Sequence, residues 1–136
     1  PVPSAKAQEI LYPEIKERSK TLLEFVEILK VCLNPVESYD TKMAQKVKTD
    51  ENIRLLREFI GYLDVLEKPL ESAQDVEVEI ATFADFHGVK AKSLFMPLRY
   101  ALLGSSGGIG IAPLIAVLGG DETKLRIEKA LKSLEA

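Results

Sequence analysis

Apolar residues recur along this chain at intervals of three and four, the spacing that puts them on one face of an α-helix. The first such stripe comprises Leu11, Ile15, Leu22, Phe25, Val26, Leu29 and Leu33. We expect Pro13 to start or kink this helix, and Asn34-Pro35 to end it, because a residue before proline avoids the helical region. The sequence therefore predicts an all-α fold of six to eight helices, with a helix end at Asn34-Pro35.

Capping residues and glycines divide the rest of the chain into further helices. A short polar helix is predicted over residues 40–48, and alternation typical of a strand occurs only over residues 76–80, between two capping signals. The predicted helix starts are marked by Thr49, Ser72, Ser93, Pro113 and Asp121. The predicted ends are marked by Lys68-Pro69, His87-Gly88, Gly104 and Gly119-Gly120.

The charges are segregated along the chain. Residues 87–120 contain no Asp or Glu and only three cations, Lys90, Lys92 and Arg99, whereas residues 51–86 carry a net charge of −6. The overall net charge of −3 and the pI near 5.3 argue against nucleic-acid binding. Local potential steers a polyanion more than net charge does, however. Because three cations give only modest, salt-dependent affinity, any RNA binding here must depend on fit.

Composition narrows the class of protein. With 136 residues, 46% of them hydrophobic, the chain fits one folded domain. It has no apolar run long enough to cross a bilayer and no secretory signal, and its start at Pro1 indicates an excised or processed fragment. The single cysteine, Cys32, cannot form an intramolecular disulfide and is predicted to be a buried apolar residue in a reducing compartment.

Signatures of independent catalysis are missing from the sequence. The turn around Gly108-Ile109-Gly110 lacks the third glycine of a dinucleotide fingerprint and the glycine-lysine pair of a phosphate loop. One histidine and one cysteine cannot assemble a structural zinc site. His87 has two interpretations, a helix C-cap or a general base or RNA-stacking group. Phe95 and Tyr100 likewise either stack on unpaired bases or belong to the core.

Three segments together carry a resemblance to a known family. They are Met96–Gly104 with its Pro97-Leu98-Arg99, the apolar Leu114–Gly119, and the basic amphipathic Leu125–Leu131. A fourth segment, Glu17–Glu24, is similar to an arginine-x-lysine-threonine-leucine pattern of the same family. The chain resembles the C-terminal part of bacterial-type glutamyl-tRNA synthetases. The resemblance implies an all-α anticodon-binding domain, a helical bundle or cage of two helical subdomains with a boundary near Asn34-Pro35. This domain recognises the anticodon loop, while the parent enzyme attaches glutamate to tRNA using ATP and Mg²⁺ elsewhere.

The resemblance also implies a set of RNA-binding residues and no catalytic or metal-binding ones. Arg99 matches an arginine that contacts an anticodon base, and the turn Gly108, Ile109, Gly110 and Ile111 matches positions that pack against splayed bases, through backbone amides and an apolar side chain. Arg18 and Lys20 are candidates for discriminating glutamate from glutamine tRNAs. Lys90 and Lys92, beside Arg99, let phosphates approach, and the acidic helix of residues 71–85 is expected to point away.

The resemblance further implies the setting in which the chain works. The expected partner is tRNA(Glu), with tRNA(Gln) left open as a second one. We expect a monomer without a cofactor of its own and without membrane contact, in the bacterial cytoplasm or in an organelle.

A second hypothesis stays open from the sequence alone. Leu94, Phe95, Ile109 and Ile111 could form an apolar surface for a partner helix, which would make the chain a protein–protein interaction module. A structural alternative also stays open for Arg99, which would then only form a salt bridge with a neighbouring helix. Steep salt dependence of binding would favour RNA, and salt-insensitive binding with large apolar burial would favour a protein partner.

Overall fold

The structure, a computed structural model, describes residues 3–105 and 109–135. In that part of the chain it contains seven helices and no strand, which confirms the predicted all-α class. In chain order the helices are α1 Ala5–Arg18, α2 Leu22–Leu33, α3 Thr41–Val47, α4 Asp50–Val65, α5 Ala73–Phe86, α6 Lys92–Leu103 and α7 Ile111–Glu135. None of these helices combines the length and apolar character needed to span a bilayer.

The single N-terminal helix predicted from the first apolar stripe is wrong, because the stripe is divided between α1 and α2. The break is the N-cap of α2, where the Thr21 hydroxyl oxygen accepts a hydrogen bond from the Glu24 backbone N–H at 3.1 Å. The predicted start at Pro13 is also wrong. Helix α1 begins at Ala5, is capped by Ser4, and continues through Pro13.

Most of the other predicted helix ends are confirmed. Thr49 and Ser72 cap α4 and α5 through their hydroxyl oxygens, and α3 starts after a capping Asp40. Ser93, in contrast, does not cap α6, which begins one residue earlier. The backbone itself makes the turn there, since the Ser93 N–H bonds to the Lys90 carbonyl at 2.9 Å.

The C-terminal helix α7 forms the centre of the fold, and α1, α4, α5 and α6 pack against it. It is kinked at Gly119, whose φ of 79° and ψ of 170° interrupt the helical backbone where the sequence predicts a stop. Buried apolar side chains from all seven helices form one continuous core. The predicted division into two subdomains near Asn34-Pro35 stays a prediction.

Two arrangements hold the connection between α2 and α3 against the rest of the molecule. Arg126 of α7 is 4% exposed and donates to the carbonyls of Leu102 at 2.8 Å and Asn34 at 3.0 Å. The Asp40 N–H bonds to the Gly104 carbonyl at 2.7 Å. Together these bonds fix the start of α3 beside the end of α6. Lys42 and Lys46 of α3 consequently lie next to the exposed face of α6.

Candidate nucleic-acid interface

Helix α6 carries a strongly divided surface. Leu94, Leu98 and Leu102 are buried on one face, at the three- and four-residue spacing of a helix. Phe95 is 43% exposed on the other face, and Arg99, one turn further along, is half-buried. Both of these residues line two neighbouring grooves of the surface. The face of α6 that contains Phe95 and Arg99 is therefore the ridge between the two grooves.

The first groove has a cavity volume of about 500 Å³ and is called the mixed groove here because it carries both signs of charge on an apolar floor. It is lined by Glu14, Arg18, Ala73, Glu77, Ile80, Ala91, Phe95, Arg99, Gly110, Ile111, Ala112 and Pro113. The Arg18 guanidinium lies 4.0 Å from the Glu14 carboxylate, and both side chains are solvent-exposed enough that this pair is weak. Two arginines and two glutamates thus line one groove together with apolar residues.

Arg99 links the ridge to the predicted turn. Its Nη1 donates to the Ile109 carbonyl at 2.9 Å, which ties the turn before α7 to α6. The side chains of Ile109 and Ile111 are 1% and 5% exposed, so they belong to the core, and stacking on a base by the Ile109 side chain is not supported. Gly110 presents only backbone to the groove, and Gly108 lies outside the described residues.

The second groove has a cavity volume of about 430 Å³ and is called the lysine groove here. It is lined by Asp40, Lys42, Met43, Lys46, Lys92, Phe95, Met96 and Arg99. Its one carboxylate, that of Asp40, is already engaged as the cap of α3, accepting from the Met43 N–H at 2.8 Å. Four cationic side chains thus line this groove together with one carboxylate, which also caps α3. This excess of positive charge is suited to binding phosphate.

The structure brings together some of the residues predicted from the sequence and separates others. Arg18, Arg99, Gly110 and Ile111 line the mixed groove, and Lys92 joins Arg99 in the lysine groove. Lys20 and Lys90 are exposed but line neither groove.

Sequence reasoning missed Lys42, Lys46 and Glu77 as groove residues. Lys42 and Lys46 are spaced four apart on a predicted helix, which indicates a shared face, but nothing in the sequence indicates that this face meets α6. The expectation that the acidic helix points away is wrong for Glu77, which lines the mixed groove from α5. The other acidic positions of that helix do not line it.

Two aromatic candidates have structural roles. Tyr100 is 1% exposed and its ring stacks on Tyr39, with 4.8 Å between ring centroids. His87 is the C-cap of α5, with Nδ1 3.0 Å from a Glu58 carboxylate oxygen and its ring 4.3 Å from that of Phe83. Neither lines the two grooves, so Phe95 is the aromatic side chain of the interface.

The apolar surface required by the protein-interaction hypothesis is not formed. Of its four proposed residues, Leu94, Ile109 and Ile111 are at most 5% exposed, and only Phe95 reaches solvent to a substantial extent. A partner helix needs a row of exposed apolar anchors, and one residue does not supply it. The geometry therefore does not favour a protein–protein interaction module.

Comparison with known proteins agrees with this geometry. The family model described as the anticodon binding domain matches residues 3–131. The chain is 41% identical over 127 residues to glutamate–tRNA ligase 1 of Wolinella succinogenes and 36% identical over 126 residues to glutamate–tRNA ligase 1 of a Sulfurovum species. In each case the match covers 93% of this chain and 27% of the relative, so the chain spans about a quarter of the length of these relatives.

Solved structures give the same result. A glutamate tRNA ligase from Elizabethkingia meningosepticum, in complex with its amino acid, superposes with a TM-score of 0.85 at 28% identity, over 98% of this chain and 26% of that one. The glutamate-tRNA synthetase of Elizabethkingia anophelis superposes with a TM-score of 0.78 at 26% identity, over 97% of this chain and 25% of that one. The helical fold, the matched family and the relatives agree, and the chain belongs to the anticodon-binding domain family.

Proposed function

We propose that this chain is the anticodon-recognition module of a bacterial glutamate–tRNA ligase and that the mixed groove holds a splayed base of the anticodon loop. The single observation that carries the proposal is the position of Arg99, which lies on the ridge between a pocket of both charges and a groove of lysines. The partner is tRNA(Glu), and recognition of tRNA(Gln) and the monomeric state are further predictions. The working place is the bacterial cytoplasm.

The mixed groove supplies what reading of an unpaired base requires. Sequence-specific RNA binding targets loops whose bases can be splayed out, stacked on an aromatic or guanidinium plane, and hydrogen-bonded at their edges. Here Phe95 offers the aromatic surface, and Arg99 offers donors in a planar fork. The Glu77 carboxylate offers an acceptor suited to the amino group of cytosine. Arg18 lines the same groove, and we expect it to contact the same base or its neighbour.

The chemistry of the parent enzyme is assigned to residues outside this chain. Attachment of glutamate to tRNA requires ATP and Mg²⁺, and this sequence has neither a dinucleotide fingerprint nor a phosphate loop. Within the described residues, no group of three or more His, Cys, Asp or Glu side chains is arranged to hold a metal ion. We propose a role in binding for these residues, as the anticodon-binding domain family to which the chain belongs supports.

The test is a fluorescence-anisotropy titration of the chain with labelled anticodon stem-loops of tRNA(Glu), native and with single anticodon bases changed. Arg99→Ala is expected to weaken binding of the native loop by about 1–3 kcal/mol, the scale of one good base contact. It should also reduce the preference for the native loop over the altered ones. Arg99→Lys keeps the charge but not the fork, so it should lose the preference while keeping most of the affinity.

Arg54→Ala is the matched control, because Arg54 is an exposed arginine of α4 that pairs with Glu58 at 2.9 Å away from both grooves. Its affinity and base preference should equal those of the unaltered chain. The proposal is wrong if the unaltered chain binds all loops equally well, or if Arg99→Ala behaves like the Arg54 control.

A further inference from the structure

The two grooves beside α6 differ in charge, and this difference favours binding of a base in one groove and binding of phosphate in the other. The mixed groove contains two carboxylates, Glu14 and Glu77, which repel phosphate. The lysine groove contains four cations and one carboxylate, and that carboxylate is committed to capping α3. The lysine groove therefore favours phosphate, and the carboxylates of the mixed groove disfavour it. A neutral base ring is not repelled by these carboxylates in the same way.

The cations of the lysine groove come from two helices that are held together by backbone contacts. Lys42 and Lys46 lie one turn apart on α3, and Lys92 lies at the start of α6. The bond from Asp40 N–H to the Gly104 carbonyl fixes α3 against α6. The backbone positions from which these lysines extend are thus set by the fold before any RNA arrives.

Phosphate contacts position a nucleic acid, whereas base contacts specify its sequence. Lysine suits the first task, because its ammonium is a point charge on a flexible stem that needs no fixed geometry. The exposed Met96 and Phe95 beside these lysines offer apolar contact to ribose and base surfaces.

We infer that the lysine groove holds the sugar–phosphate backbone of the RNA strand next to the base in the mixed groove, and that Lys42 and Lys46 are positioning residues for that strand. The strand crosses the ridge formed by Phe95 and Arg99. This inference rests on the proposed function and adds to it the α3 lysines, which the sequence comparison with synthetases does not identify. Their contribution is electrostatic and independent of base identity.

The experiment compares the double variant Lys42→Gln/Lys46→Gln with the control Lys30→Gln/Lys132→Gln, which removes the same charge from exposed lysines outside both grooves. Binding of native and base-altered stem-loops is measured between about 50 and 200 mM salt. For single strands the slope of log Kobs against log salt is about −0.7 per phosphate contact. The α3 variant should therefore lose about 1.4 of this slope and weaken all loops by the same factor, with the base preference unchanged.

The outcomes separate this inference from the proposed function. If the unaltered chain prefers the native loop but the α3 variant matches the control in affinity and slope, the inference alone is overturned. If the α3 variant changes the base preference, the lysines read sequence and the assigned role is wrong. If the unaltered chain binds no RNA or shows no preference, the proposed function fails as well. Circular dichroism of both variants confirms that the helices are retained.

Discussion

Two arginines show how burial decides what one residue type does in this chain. Arg126 is 4% exposed, and its guanidinium donates hydrogen bonds to two backbone carbonyls and, from Nε at 2.9 Å, to the Glu122 carboxylate. Its donors are used to hold helices in place. Arg99 is half-buried and lines both grooves, and its Nη1 donates to the Ile109 carbonyl. The sequence motif predicts Arg99 as an RNA contact, and the structure adds that Arg99 borders the grooves while Arg126 is buried.

Cys32 makes a residue-scale prediction about pH. Burial raises the pKa of its thiol to about 11, with the nearby Arg126 acting in the opposite direction. Because the pKa of the thiol is higher in the folded state than in the unfolded state, the protonated thiol contributes its full stabilisation only below about pH 9, where the thiol of the unfolded chain begins to ionise. This contribution is lost as the pH rises toward 11. The free energy of unfolding, measured by urea titration, should fall steadily between pH 9 and 11.

Cys32→Ala provides the control, because it removes this titration and leaves those of Tyr39 and Tyr62, whose pKa values burial also raises. The variant should keep its stability nearly constant from pH 9 to 10 and lose it only above that range. If the free energy of unfolding fell equally steeply with pH for both proteins between pH 9 and 10, burial would not raise the pKa of the Cys32 thiol in this way.

At the scale of elements, the end of α6 sets the geometry of the lysine groove. Gly104 ends the helix with a φ of 74°, in the left-handed region that disfavours residues with a Cβ. A Cβ at this position would also collide with the Ser38 backbone carbonyl on the segment leading to α3. The glycine thus allows both the helix stop and the close approach of α3.

Gly104→Ala is therefore expected to lower the free energy of unfolding by at least about 1–2 kcal/mol, the cost of the left-handed conformation. The clash with Ser38 adds to this cost. Gly61→Ala is the matched control, since Gly61 lies on the exposed face of α4 and its added Cβ would meet nothing. That change should raise stability by about 0.5–1 kcal/mol. Thermal or urea unfolding of both variants checks the opposite signs, and a stable Gly104→Ala protein would contradict the description of this junction.

Helix existence and most helix ends were predictable from sequence because capping and apolar spacing are local. Thr49, Ser72, Gly104 and Gly119 act where the pattern places them. The break before Thr21 carried its own signal, a threonine followed by glutamate three residues later, which the apolar stripe obscured. Ser93 does not cap α6, because the preceding backbone turn already supplies acceptors for the N–H groups of Ser93 and Leu94. No pattern of residue types in the sequence indicates this turn.

The candidate site was predictable where the resemblance identified its residues, which include Arg18 near the N-terminus. Arg99, Gly110 and Ile111 fall in one segment, so the resemblance identified them together. Lys42, Lys46 and Glu77 reach the same two grooves from α3 and α5, through contacts between helices that are distant in sequence. Their packing depends on the whole core, so the sequence alone gave no reason to group them.

For the whole molecule, segregated charge reconciles an acidic protein with RNA binding. The net charge is −3, yet the segment from 87 to 120 contains no carboxylate, and α3 adds lysines to it in space. Three carboxylates line the two grooves, those of Glu14 and Glu77 in the mixed groove and that of Asp40 in the lysine groove. We therefore expect a polyanion to be attracted to the lysine groove, with the modest number of cations leaving specificity to fit.

The most direct measurement of this account is an NMR titration of the isotope-labelled chain with the anticodon stem-loop of tRNA(Glu). We expect shifts concentrated on Phe95, Arg99, Gly110 and the α3 lysines, and loss of those at Arg99 and Gly110 when the anticodon bases are changed. Shifts confined to other faces, or the same pattern with every loop sequence, would contradict the claim that these grooves read an anticodon.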